Sequence, residues 1–166
     1  NSVFESNTAS SHSTVGLSGM DGAVIDGCTF KDNTVVGSTD TNINNANRGG
    51  AGIYIKDSND VVIRNSKFIH NTVTGAFDGG AIYAFGNTVI NDIGNCYFER
   101  YGAQNGGALY INTGSNGINV IGSTFISNQA RASGGAVYAN DLNVRGSLFD
   151  NNAAVNGGSL DRKSVV

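Results

Sequence analysis

The chain of 166 residues has no proline and no tryptophan, only two cysteines, and only 14% charged residues. Its formal net charge of −3 provides none of the basic surface that nucleic acid binding needs. No apolar run approaches the roughly 20 residues of a membrane-spanning helix. We therefore expect no nucleic acid partner and no membrane contact within this segment.

Glycine, by contrast, is abundant at 24 residues, and asparagine is about equally frequent. Both residue types disfavour helix interiors. Because proline is missing and Val, Ile and Phe are spread evenly along the chain, the composition is also not that of a disordered protein. A β-rich domain is the class that these features favour.

A short motif recurs six times: Gly or Asn, then Ser or Cys, then any residue, then Phe. Asparagine stands three residues after each Phe except one, where Tyr101 takes its place. The six phenylalanines are Phe4, Phe30, Phe68, Phe98, Phe125 and Phe149. The intervals between them are 26, 38, 30, 27 and 24 residues, and repeats of this length predict a solenoid.

A second motif, Gly-Gly-Ala-aliphatic-Tyr, lies between these copies at 79–83, 106–110 and 134–138, with looser versions at 50–54 and 157–160. The side chains of its last three residues should alternate between the two faces of a short strand. Segments such as 61–63 predict a second strand, the Phe motif predicts a third, and Gly or Asn predicts corners with positive φ. The chain therefore predicts an all-β fold, a right-handed single-stranded parallel β-helix of about six coils over residues 1–160.

The two cysteines occupy the same small inward position of the repeat, where other coils carry serine. Cys28 and Cys96 belong to coils two apart, with Ser66 between them. Two strand spacings separate them by about 10 Å, beyond the ~7 Å Cα limit for a disulfide. We therefore predict two buried, unpaired thiols that pack as small apolar groups.

Together, the motifs resemble the repeats of chlamydial polymorphic outer membrane proteins, whose signatures are Gly-Gly-Ala-aliphatic and Phe-x-x-Asn. More broadly, the chain resembles pectin-lyase-like β-helices. The resemblance covers essentially residues 1–160. The chain departs from the family pattern at Tyr101, at 51–52 and in the first coil, where Gly16-Leu17 replaces the glycine pair. It implies a surface-exposed or secreted, adhesin-like segment, placed outside the cell or on its surface (the outer membrane in a bacterium). The implied partners are glycans or a surface protein of a host or neighbouring cell, and a plain structural stalk is the other role.

Polysaccharide lyases and glycoside hydrolases share this fold, so an enzyme is the alternative. Such enzymes need two carboxylates that flank the glycosidic bond to be cleaved, or acidic metal ligands beside a base. The Asn-Thr-Asp, Asp-Asp, Gly-His-Gly and Arg-Ile-Lys motifs of polygalacturonase-like enzymes are absent. Asp57 and Asp60 fit a solvated turn, and the only histidines, His12 and His70, fit exposed positions. We expect no catalytic residue, metal or cofactor, and the alternative requires a catalytic coil outside this segment.

Two features are candidates for recognition. If the aliphatic residue of the second motif points inward, alternation places the following tyrosine outward, which predicts an exposed ladder of Tyr54, Tyr83, Tyr110 and Tyr138. Such a ladder is either purely structural or a platform for sugar rings or a protein partner. The second feature is the polar insertion from Thr34 to Arg48, which is either a tolerated insertion or a loop that carries contacts.

The chain begins inside a copy of the Phe motif and ends outside the repeat. Residues 161–166 are charged and out of pattern, and a common sequencing adapter encodes the same hexapeptide in one frame. We therefore interpret 161–166 as a non-native tail and the chain as a fragment truncated at both ends. Solenoid ends without caps expose unpaired strand edges, so we expect the fragment to associate end to end or to fray.

Overall fold

The computed structural model describes residues 1–10, 13–36, 49–113 and 118–162, and this part of the chain contains strands and no helix. Accordingly, these residues include no helix that is long and apolar enough to cross a membrane. The strands, in chain order, are β1 (Val3–Glu5), β2 (Thr8–Ala9), β3 (Val15–Ser18), β4 (Val24–Asp26), β5 (Thr29–Lys31), β6 (Thr34–Val36), β7 (Ile53–Lys56), β8 (Val61–Arg64), β9 (Lys67–Ile69), β10 (Thr72–Thr74), β11 (Ile82–Gly86), β12 (Ile90–Gly94), β13 (Tyr97–Glu99), β14 (Gly102–Asn105), β15 (Leu109–Thr113), β16 (Ile118–Ile121), β17 (Thr124–Ile126), β18 (Gln129–Ser133), β19 (Val137–Ala139), β20 (Leu142–Arg145), β21 (Leu148–Asp150) and β22 (Leu160–Arg162).

Every strand pairs in parallel with the strand one coil away, which confirms the parallel β-solenoid. The phenylalanine sheet has the order β1-β5-β9-β13-β17-β21, the tyrosine sheet β3-β7-β11-β15-β19-β22, and the isoleucine sheet β4-β8-β12-β16-β20. Six strands one coil apart in the phenylalanine sheet enclose about five turns. The right-handed sense stays a prediction, based on the strong preference of parallel crossovers for that hand.

The prediction of three strands in each coil was incomplete. A fourth short strand follows the phenylalanine sheet, forming a sheet of β10-β6-β2 and a separate pair of β14 and β18. These strands hold only two to five residues, so their sequence shows no alternation long enough to identify them. In the part of the chain that the structure describes, β10 and β14 do not pair, and this interrupts the fourth sheet.

Stacked phenylalanine rings form the centre of the core. The six rings of the phenylalanine sheet lie face to face with centroids 4.7–4.8 Å apart. This distance equals the spacing of paired strands, so identical residues in register stack directly. Phe30, Phe68, Phe98 and Phe125 are fully buried, and the isoleucines of the neighbouring sheets pack against them.

The asparagine that follows each Phe forms a second internal ladder. Asn33, Asn71 and Asn128 are buried. The backbone N–H and Nδ2 of Asn33 both donate to Oδ1 of Asn71, at 3.0 and 2.7 Å. Nδ2 of Asn33 also donates to the carbonyl of Phe4 at 2.8 Å. These asparagine side chains therefore bond both the backbone and one another inside the solenoid.

Tyr101 substitutes for asparagine in this ladder. Its side chain is buried, and its hydroxyl accepts the hydrogen bond of Asn71 Nδ2 that an asparagine oxygen accepts elsewhere. Its backbone N–H donates to Oδ1 of Asn128 at 3.3 Å. The ring therefore keeps the ladder continuous, and burial raises the pKa of its hydroxyl.

We expect Asn128→Ala to lower the free energy of unfolding by roughly 2–4 kcal/mol, because it removes three hydrogen bonds of a buried side chain. Those bonds are to the Phe98 carbonyl, Oδ1 of Asn152 and the Tyr101 N–H. Urea unfolding measures the change. The control is Asn143→Ala, an exposed asparagine that donates to Asn119 at 3.0 Å, which should cost well under half as much. Equal losses would show that the buried ladder adds nothing.

Both cysteines are free thiols, as predicted. Cys96 is buried and Cys28 is half-buried. Their backbone N–H groups donate to the serine of the next coil, Cys28 to Ser66 and Cys96 to Ser123, both at 3.1 Å. Burial raises the pKa of the Cys96 thiol to about 12, so this sulfur packs as a small apolar group.

Candidate functional site

The tyrosine ladder lies on the tyrosine sheet in the predicted register. Tyr83 is aligned with Tyr54 on one side and Tyr110 on the other, and Tyr110 with Tyr138. The ring centroids are 6.1, 5.2 and 5.0 Å apart along the ladder, and the planes deviate by 18° or less. The four rings therefore form one continuous stack.

The predicted exposure of this ladder was wrong. Tyr54 and Tyr138 are 8% exposed, Tyr83 is 3% exposed, and Tyr110 is half-buried. The alternation of the strand was correct, since Ile82 and Ala84 on either side of Tyr83 point into the core with no exposure. The tyrosine side chains therefore point away from the core, but other parts of the protein shield them from solvent.

Two neighbours cover the tyrosines. Phe85 follows Tyr83 by two residues on the same face of β11. Its ring centroid lies 5.5 Å from that of Tyr54 and 5.3 Å from that of Tyr83. The glycine corner that precedes each strand lies against the tyrosine of the next coil: a Cβ on Gly49 would meet the Tyr83 ring at 2.9 Å, and a Cβ on Gly79 would meet the Cβ of Tyr110 at 3.0 Å. Burial accordingly raises the pKa of the Tyr83 hydroxyl, and the neighbouring Tyr110 and Asp78 raise it further.

Asp78 is the acidic residue beside the ladder. Its Oδ1 accepts from the backbone N–H and the Nδ2 of Asn105, at 3.0 and 2.9 Å. Burial raises its pKa, and the two hydrogen bonds from Asn105 only partly oppose that effect. Folding therefore makes this carboxyl easier to protonate than it is in the unfolded chain.

We expect Asp78→Asn to stabilise the protein at neutral pH. A carboxyl with a raised folded pKa destabilises the fold as pH rises from its unfolded pKa through its folded pKa, and the penalty is complete above both. An amide oxygen keeps the acceptor for Asn105 without this charge. Thermal unfolding at pH 7 should show a higher Tm for the variant, and the difference should vanish in acid. A variant that is less stable at pH 7 would contradict the assignment.

The other residues considered for chemistry hold structural positions. Asp57 and Asp60 are exposed turn residues with positive φ, as predicted, and accept hydrogen bonds from Asn87 and Asn91. His70 is also exposed, 3.7 Å from Asp32 and 3.2 Å from Arg100. Within the described ranges, no three His, Cys, Asp or Glu side chains come together as metal ligands.

Other predictions fall wholly or partly outside the described residues. His12 lies outside them, and so does the insertion beyond Val36 as far as Arg48. Of the tail 161–166, the first two residues continue β22 and pair with β19, while 163–166 are not described. Its interpretation as adapter sequence and the end-to-end association stay predictions.

A lateral groove, which the sequence analysis did not identify, opens where the fourth sheet is interrupted. It has a volume of about 330 Å³ and lies between β10 and β14, with Thr72, Gly102, Gln129 and two arginines, Arg100 and Arg131, among its lining residues. Eleven residues separate Phe68 from the next glycine corner at Gly79, against eight from Phe98 to Gly106. This difference in length is the sequence feature that could have predicted the groove. A coil with three extra residues cannot pair in register with the shorter coil beside it.

Comparison with known proteins agrees with this architecture. Residues 122–140 match the family model of the Chlamydia polymorphic membrane protein repeat. The match spans β17 to β19, one Phe-x-x-Asn motif and one Gly-Gly-Ala motif in sequence. Searches of curated proteins and of solved structures found no match. The resemblance is confirmed: this parallel β-solenoid carries a repeat of the Chlamydia polymorphic membrane protein type.

Proposed function

We propose that this chain is a segment of a surface-exposed or secreted adhesin-like protein, in which the solenoid forms a rigid stalk that presents ligand contacts on its sides. The match at 122–140 carries the proposal, because it joins the sequence signature of a surface protein family to three successive strands of one coil. That coil pairs on both sides with coils of the same design.

The internal ladders support the stalk role. Stacked phenylalanines, stacked tyrosines and hydrogen-bonded asparagines connect each coil only to its neighbours. Such contacts resist bending along the whole length and leave the lateral faces free to vary. A rod of this kind holds a binding surface away from its anchoring point.

Surface location is tested with cells that produce the protein. Antibodies raised against the folded chain should label intact, unpermeabilised cells, and brief protease treatment of those cells should release peptides from residues 1–160. A cytoplasmic protein of the same cells serves as the control and should stay unlabelled. Labelling that requires permeabilisation, with none of the protein in the culture medium, would refute the proposal.

Direct contact of the tyrosine ladder with a glycan or a protein remains a proposal. The accessible surface of the ladder is smaller than the sequence predicted. Tyr110 is the half-buried member, and its hydroxyl accepts a hydrogen bond from Asn112 at 3.3 Å. Tyr110→Phe keeps the ring stack and removes this hydroxyl. Unchanged binding of the folded variant to immobilised glycans or cells would leave the ladder with its structural role.

A further inference from the structure

We propose that the lateral groove between β10 and β14 binds a carboxylated sugar through Arg100 and Arg131. The inference deepens the proposed function, since it assigns a ligand class to the side of the stalk. The evidence for this proposal is the shape of the groove, its charge and the unpaired backbone groups that line it.

The groove exists because the fourth sheet opens and closes again. At one end, Nδ2 of Asn71 bonds the Tyr101 hydroxyl, and at the other the Gln104 N–H donates to the Phe77 carbonyl at 2.6 Å. Between these bonds one coil carries three more residues than the next, so the two strands separate. Two parallel strand edges that face each other without pairing present both N–H and C=O groups.

The lining of the groove lacks a side chain at Gly102, which is exposed. In the repeat, the position four residues after Phe carries Thr8, Thr34, Thr72, Gln129 and Ala153, but the coil of Phe98 has Gly102. A Cβ on Gly102 would meet nothing within 4 Å. The missing side chain leaves room for a flat ring against the backbone.

The rim of the groove is cationic. Arg131 is exposed and has no ion pair within the part of the chain that the structure describes. Arg100 is 64% exposed; its Nε lies 3.5 Å from Glu99 and one terminal nitrogen 3.2 Å from His70. Two guanidinium groups from adjacent coils therefore line the groove in a chain of net charge −3, and a guanidinium fork matches the geometry of a carboxylate.

A sugar fits this groove better than a peptide. Cα atoms of β10 and β14 come within 8 Å of each other, and an inserted peptide strand needs about 9–10 Å, or two strand spacings. The apolar residues in the lining are the buried Val73, Ala103 and Ala130, so there is no pocket for an aromatic or aliphatic anchor. Sugar hydroxyls both donate and accept, which suits the strand edges, Gln129 and Thr72.

The test uses the whole chain, with sialyllactose as the probe and lactose as the matched neutral sugar, by calorimetry and by NMR of the backbone amides. We expect sialyllactose to bind, to shift the Gly102 amide and to weaken with salt, while lactose does not bind. Arg131→Gln should weaken the affinity by about tenfold or more, the effect of losing one charge-assisted hydrogen bond. Gly102→Leu should abolish binding, because it fills the groove.

The matched controls are Arg145→Gln and Gly16→Leu. Arg145 is exposed on another sheet, and Gly16 also has open space at its Cβ position; both variants should bind like the original chain. Equal binding of lactose, no binding of sialyllactose, or binding that both groove variants leave intact would overturn the proposal. An acidic pentapeptide that binds in the groove in place of the sugar would also overturn it. None of these results bears on the surface-labelling experiment, so the two proposals fail separately.

Discussion

Gly107→Ala should be among the most destabilising single substitutions in this chain, with a loss of at least roughly 3 kcal/mol. A methyl group there would lie 2.0 Å from the carbonyl oxygen of Gly135 and 2.7 Å from that of Gln129. Both are backbone atoms of the next coil, so the clash is relieved only by pushing coils apart. The same shift would stretch the hydrogen bond from Gly107 N–H to Gly134, now 3.0 Å. Overpacking alone costs about 1–3 kcal/mol, and a lost buried hydrogen bond adds to it.

The matched control is Gly102→Ala, five residues earlier. A Cβ on Gly102 has open space, and the residue does not have positive φ. This substitution should be neutral or slightly stabilising, by up to about 1 kcal/mol, because alanine restricts the unfolded chain more than glycine does. Urea unfolding of both variants gives the comparison. Similar stabilities for the two would contradict the tight coil contact at Gly107.

Phe98→Ala should cost about 3–5 kcal/mol, the usual cost of emptying a fully buried aromatic position. Phe98 has no exposed surface, and its ring stacks on Phe68 at 4.8 Å and on Phe125 at 4.7 Å. Removing it interrupts the stack in the middle of the rod and leaves a cavity that the rigid coils cannot close. Thermal and urea unfolding measure the loss.

Phe149→Ala is the control at the end of the same stack. Phe149 is half-buried and has one stacked neighbour, Phe125. We expect its truncation to cost less than half as much as that of Phe98. If the end position proved as costly as the middle one, stability would not depend on ring burial within the ladder.

Repetition explains why so much of the fold could be predicted from the sequence. Identical residues one coil apart stack in register, so the interval between phenylalanines determines which strands pair. The same argument placed Cys28 and Cys96 in one row with two strand spacings between them and predicted free thiols. The corners could be predicted because Gly and Asn adopt positive φ at low cost. Gly27, Asn65 and Gly122 all have positive φ.

What the sequence did not provide is the packing outside the strands. Alternation determines to which side of the sheet Tyr83 points, but it does not reveal that the corner at Gly49 and the ring of Phe85 cover that side. The fourth strand was missed because it is too short for a pattern. The lateral groove depends on a difference of three residues between two adjacent coils, which becomes visible only when the intervals from Phe to the glycine corner are compared.

A cross-linking experiment tests the register of the coils most directly. Lys67 and Tyr97 are aligned on neighbouring strands of the phenylalanine sheet, and Lys67 and Thr124 are two coils apart. In a chain with Cys28→Ser and Cys96→Ser, the pair Lys67→Cys and Tyr97→Cys should oxidise to a disulfide, because paired strands place Cα atoms within the 4.4–6.8 Å range of a disulfide. The pair Lys67→Cys and Thr124→Cys, about 10 Å apart by two strand spacings, should stay reduced. Cross-linking of the second pair in preference to the first would contradict the stacked-coil architecture.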